Sequence, residues 1–249
     1  NTAGITTTGA TGSIQVSGAR TYNVGANYTF NGTSAQATGA GFTGANNLTI
    51  NNSAGITLSG NATLAGTLTL TNGAFTVGSG NTITVSSGGS ISRTSGSLAA
   101  GTGAGTITFS GTGTVTGTVG FNNVNIAGGV NFGTGSTING TLTINSGGFV
   151  STNAPTYGSG STLKYNSGGT YGRGTEWSAT SGAGYPHHVQ ISNGTTLDLG
   201  ANNGTATARQ IAGNLTVDAS STLSMSVNPM MAALTVKGNY LNNGTTVLS

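Results

Sequence analysis

NGTLTINSGG, Asn139 to Gly148, is the stretch whose reading decides the fold. Leu142 and Ile144 alternate with Thr141, Thr143 and Asn145, the two-residue period of a strand with one buried face. Asn139-Gly140 before it and Ser146-Gly147-Gly148 after it are turn chemistry, because Asn and Gly enter the left-handed region at little cost. Outward from this stretch, similar pairs recur: Ile14/Val16, Leu48/Ile50, Leu68/Leu70, Ile83/Val85, Ile107/Phe109, Val124/Ile126, Leu163/Tyr165, Val189/Ile191, Leu215/Val217 and Leu234/Val236. Shorter pairs lie between them, among them Ile56/Leu58, Phe75/Val77, Leu197/Leu199 and Leu223/Met225.

The spacings turn these strands into an architecture. Leu48 to Leu68 is 20 residues, Val124 to Leu142 is 18, Leu142 to Leu163 is 21, and Leu215 to Leu234 is 19. A period near 20, with strands and turns in each unit, marks a solenoid. The predicted fold is all-β, a right-handed parallel β-helix of about 20 residues per coil and on the order of 12 coils. A β-sandwich also uses short regular strands, but it normally carries longer strands and more aromatic packing than the 6% present here. The chain is read as one elongated solenoid. Residues 1–42 are less regular, 43–152 form regular coils, 153–188 form an aromatic coil with a loop excursion, and 189–249 return to regular coils.

Composition narrows the function. Glycine is 46 of 249 residues but does not fall at every third position, and proline is only 3, which excludes collagen. Charged residues are 4%, whereas disordered chains usually carry high charge and no regular aliphatic spacing. Arg20, Arg93, Lys164, Arg173, Arg209 and Lys237 form no cluster in sequence. No nucleic-acid partner is therefore expected, since a phosphate-tracking surface needs several cations together. Cysteine is absent, so no disulfide or thiolate metal site holds the fold. No apolar run approaches the roughly 20 residues of a membrane helix, so no membrane insertion is expected.

The repeat breaks between Asn153 and His188. Tyr157, Tyr165, Tyr171, Trp177, Tyr185, Pro186, His187 and His188 gather there with Arg173 and Glu176. Leu163 to Val189 is 26 residues, several more than a normal coil, and a loop is expected to leave the stack. Binding residues commonly sit on loops carried by a rigid scaffold, and aromatics with a few polar groups suit a sugar face. The candidate ligand-binding residues are Tyr171, Arg173, Glu176, Trp177, Tyr185, His187 and His188. Each has a plainer reading. Trp177 covers the side of a solenoid, Arg173 and Glu176 pair to tie the loop down, and adjacent His187 and His188 point to opposite faces of an extended segment. That geometry argues against a shared metal, and no metal or other cofactor is expected. Glu176, Asp198 and Asp218 are the only acids, with both aspartates read as outward surface charges. Carbohydrate enzymes on this kind of scaffold want clustered carboxylates, so the chain is read as non-catalytic.

NNLTINNSAGITLSG, GTLTINSGGF and NLTVDASSTLSMS resemble the Gly/Thr/Asn-rich β-solenoid regions of secreted bacterial surface proteins, the autotransporter and haemagglutinin-like adhesins. TYGRGTEWSATSGAGYPHHVQISNGTTLDLG, Thr170 to Gly200, is similar to a segment of the cell-surface repeat proteins exported by Bacteroidetes through the type IX pathway. The resemblance implies a secreted, extracellular or cell-surface location and a structural or adhesive role, as a surface fibre or head-to-tail filament subunit. Self-association end to end is the expected partnership, with a surface glycan or a host or biofilm matrix as further partners. Two alternatives stand beside it. One is ice binding through threonine ladders such as Thr67, Thr69 and Thr71, although Thr-x-Thr pairs do not line one face at constant period in the sequence. The other is a carbohydrate-binding or carbohydrate-active β-helix using residues 171–188.

Overall fold

The computed structural model describes residues 4–8, 16–100, 105–201, 208–225, 230 and 232–248. Ile14 of the first expected pair lies outside them. The fold is an all-β parallel β-solenoid with almost no helix, as the periodicity predicts, and it divides into two compact units, Asn1–Asn122 and Asn123–Ser249. Turns average about 23 residues and number about nine over the two units, so the coils are longer and fewer than the sequence suggests.

In the first unit each coil visits three parallel stacks in turn. One holds Tyr28–Phe30, Leu48–Asn51, Thr67–Asn72, Gly89–Arg93 and Gly113–Thr116. Another holds Gln36–Ala37, Ile56–Thr57, Ala74–Val77 and Ser97–Ala100, and the third Gly44–Ala45, Ala62–Leu64, Thr82–Val85 and Thr106–Phe109. Leu48 stands opposite Leu68, Leu68 opposite Ile91, and Ile91 opposite Val115. All four are buried, and each such side chain contributes about 1.5–3 kcal/mol of hydrophobic burial.

The outward residues obey the same register. Thr29, Thr49, Thr69, Ser92 and Thr116 are successive partners in one column, with Thr67, Ser90 and Thr114 in the column beside it. Thr67 and Ser90 share a hydroxyl hydrogen bond of 2.8 Å. The sequence hides this alignment because the coils differ in length. Turns absorb the extra residues, and the columns stay in line. Gly73 shows how tightly a turn is built: its φ is +74°, and a Cβ there would meet the Asn52 carbonyl oxygen at 1.8 Å.

In the second unit the opening stretch becomes the strand Thr141–Asn145, stacked between Asn123–Ile126 and Thr162–Asn166. Val124, Leu142, Leu163, Val189 and Leu215 follow one another as buried register partners. The spacings of 18, 21 and 26 residues read from the sequence are therefore true coil lengths. The 19-residue step from Leu215 to Leu234 is not. Leu215 pairs with Tyr240, and Leu234 pairs with Arg209 on a different stack. Alternation alone cannot choose between two nearby strands. Asn166 donates its side-chain amide to the Asn145 side-chain oxygen at 2.9 Å, one rung of a polar ladder on the same stack.

Candidate functional site

The wide coil from Leu163 to Val189 carries an irregular arm between the strands Thr170–Gly172 and His188–Ile191. The excursion is present, but it turns inward. A short 3-10 turn, Thr175–Trp177, places Glu176 and Trp177 wholly inside. Thr156 forms an antiparallel bridge with Ala183, and the Gly184 N–H donates to the Pro155 carbonyl at 3.0 Å, which binds the arm to the preceding coil. A coil this long encloses more space than paired aliphatics fill, and Tyr157, Tyr165 and Trp177 occupy it.

Glu176 organises the interior. One carboxylate oxygen accepts from the Gly174 N–H at 2.7 Å and from the Tyr165 hydroxyl at 3.1 Å. Its Oε2 is buried without a hydrogen-bond partner. The Tyr157 hydroxyl donates to the Glu176 carbonyl at 2.9 Å. Burial pushes the Glu176 carboxyl above the usual carboxylate range, against the opposing pull of the Gly174 N–H, its own N–H, Tyr165 and Arg173. Burial, and next the Glu176 charge, raise Tyr165, Tyr157 and Tyr171 well above an ordinary phenol. Arg173 donates to the carbonyls of Trp177 at 2.8 Å, Gly174 at 3.2 Å and Leu199 at 3.2 Å. It thus ties the arm down through main-chain oxygens; burial lowers its pKa, against the opposing pull of the Tyr165 and Glu176 charges. Arg209 is lowered to about 10, first by burial and then by the Arg173 charge.

A groove of about 750 Å³ opens on this side of the unit, lined among others by Phe149, Ser151, Thr170, Tyr171, Arg173 and Arg209. Tyr171 and Arg173, both expected at a site, face it. Glu176 and Trp177 do not line it; the Trp177 indole N–H donates to the Gln210 carbonyl at 3.0 Å, which makes it a core side chain. Tyr185 lies elsewhere, with the Lys237 ammonium 5.7 Å from its ring centre. The histidines correct the sequence reading: their ring centres are 4.4 Å apart, edge to face. His187 precedes the strand that begins at His188, so strict alternation does not separate the rings. The Nδ1 of His188 accepts the Asn214 N–H at 2.9 Å, and burial, with His187 beside it, lowers its pKa.

Asp198 is a second correction. It is buried, and its Oδ1 accepts the N–H groups of Gly200 at 3.0 Å and Ala201 at 3.2 Å, fastening a turn inside the coil. Asp218 is half-buried and accepts the Gln190 amide at 2.7 Å. Among the described residues no group of three or more His, Asp or Glu gathers that could hold a metal ion. Sequence reasoning missed Phe149 and Arg209. The signals were there: Phe149 takes the outward slot beside inward Val150, and Arg209 takes the same inward parity as Ile211. The sequence matches no protein-family model, and no curated protein or solved structure is significantly similar to it.

Proposed function

We propose that this chain is a non-catalytic structural protein of the cell exterior, a secreted fibre subunit that associates end to end by adding coil to coil. The observation that carries the reading is the coil-on-coil stacking itself, in which Val124, Leu142, Leu163, Val189 and Leu215 follow one another as buried register partners. The strands Leu234–Val236, Tyr240–Asn242 and Thr245–Val247 continue the stacks in the last described turn. Leu241 is 53% exposed and Leu248 66% exposed, and a cavity of about 640 Å³ lined by Leu215, Leu223, Met230, Leu234 and Tyr240 opens beside them. A parallel coil offers its strand edges and apolar interior to whichever coil stacks on it. A head-to-tail contact of this kind propagates instead of closing into a ring. Absence of cysteine and scarcity of charge agree with a scaffold held by backbone ladders outside the cell.

Static light scattering on the 249-residue chain tests it. The mass should grow with concentration, and a double variant, Leu241→Lys with Leu248→Lys, should remain monomeric with an unchanged circular dichroism spectrum. A wild-type chain that stays a monodisperse monomer sinks the proposal.

The hydroxyl columns of the first unit favour ice binding as a second reading. Thr29, Thr49, Thr69, Ser92 and Thr116 form a regular array with Thr67, Ser90 and Thr114. Its spacings are about 4.8 Å between coils and about 6.6 Å along each strand. Absence of thermal hysteresis would end that reading.

A further inference from the structure

We propose that the groove beside Phe149 binds an acidic oligosaccharide, a uronate-bearing segment of an extracellular glycan. This goes beyond the fibre reading and stands apart from it.

The groove exists because strand stacking is interrupted at this place in the second unit. Phe149–Val150 is the last strand of its sheet and Thr170–Gly172 the first of another. The residues on either side of this break line one open space of about 750 Å³, a size typical of small-ligand sites.

The lining has the chemistry of sugar recognition. Phe149 is 49% exposed, although side chains of its kind are elsewhere in this unit sent inward, as Phe132 is. The tip of its ring lies against Gly129, where a Cβ would meet Cζ at 2.6 Å, so that only glycine leaves room for the ring in this place. A half-exposed aromatic ring suits stacking on a pyranose, and Ser151, Thr170, Thr175 and Ser178 line the groove around it.

The charge selects the acidic class. Arg173 and Arg209 both line the groove while no aspartate or glutamate does. They are 3% and 4% exposed, so their charge acts on the groove from within a wall of low dielectric. Glu176 lies behind Gly174, where a Cβ would meet its Oε2 at 2.8 Å. With Glu176 counted, two cations stand against one carboxylate, and the wall stays net positive. Two cations without a basic track do not suit a nucleic-acid backbone. An extended peptide is disfavoured too, because strands of two and three residues offer few ladder bonds for an added strand.

The test is calorimetric titration of tetragalacturonate into the full chain, with its methyl ester as the neutral probe. Wild type should bind the acid at least about tenfold more tightly than the ester, and added salt should weaken binding. Phe149→Ala, at an exposed position, should lose about tenfold in affinity while keeping its circular dichroism spectrum. No heat of binding at millimolar tetragalacturonate overturns the proposal. So does equal affinity for the ester, or a Phe149→Ala variant that binds like wild type.

Discussion

Trp177 is fully buried and still places its indole N–H on the Gln210 carbonyl, so its removal leaves both a cavity and an orphaned acceptor. Trp177→Ala should cost about 3–5 kcal/mol in urea unfolding. Phe149→Ala, at a half-exposed ring, should cost less than about 1 kcal/mol. A similar loss for both would mean that the arm is not packed as described. Glu176 makes a pH-dependent prediction. Its folded pKa is raised, so between the unfolded value and the folded one the native state holds more protons than the unfolded state. Stability from this group is fully present below the unfolded pKa and falls as pH rises through the folded one. Glu176→Gln cannot lose that proton. Its urea midpoint should therefore compare better with wild type at pH 7 than at pH 4, and the reverse order would show a carboxylate stabilised by its partners.

At the scale of the element, inward and outward positions of one strand should behave as opposites. Leu142→Ala should cost about 2–5 kcal/mol, whereas Thr143→Ala on the outer face should stay within about 0.5 kcal/mol. Chemical denaturation of the two variants checks the pair, and equal costs would contradict the assigned faces. Gly73→Ala should cost more than about 1 kcal/mol by the same measurement, since positive φ and the nearby Asn52 carbonyl both oppose a Cβ. The strands were legible in the sequence because buried aliphatics at every second position, bounded by Gly and Asn, have few other readings. The pairing of Leu215 was not, because Leu234 and Tyr240 both follow at solenoid-like distances and only three-dimensional stacking separates them. Tyr171 and Arg173, singled out by residue type, line the groove. Arg209 escaped notice because it reaches the groove from another coil. The arm's inward turn was hidden for a related reason. Tyr, Arg, Glu and Trp read as surface chemistry until carbonyls and hydroxyls of neighbouring coils satisfy them.

For the whole molecule, the central proposal is that copies associate by stacking coil on coil. Charge does little to oppose such contact, since the chain carries six basic and three acidic side chains among 249 residues. Association should therefore depend weakly on salt and strongly on the apolar surface at Leu241 and Leu248. The most direct measurement is X-ray diffraction from oriented assemblies of the purified chain. Coil-on-coil addition predicts filaments with a sharp meridional reflection at about 4.7–4.9 Å, the spacing of neighbouring strands along the stack. Filaments with that reflection on the equator, or a solution that yields no filaments, would contradict the account.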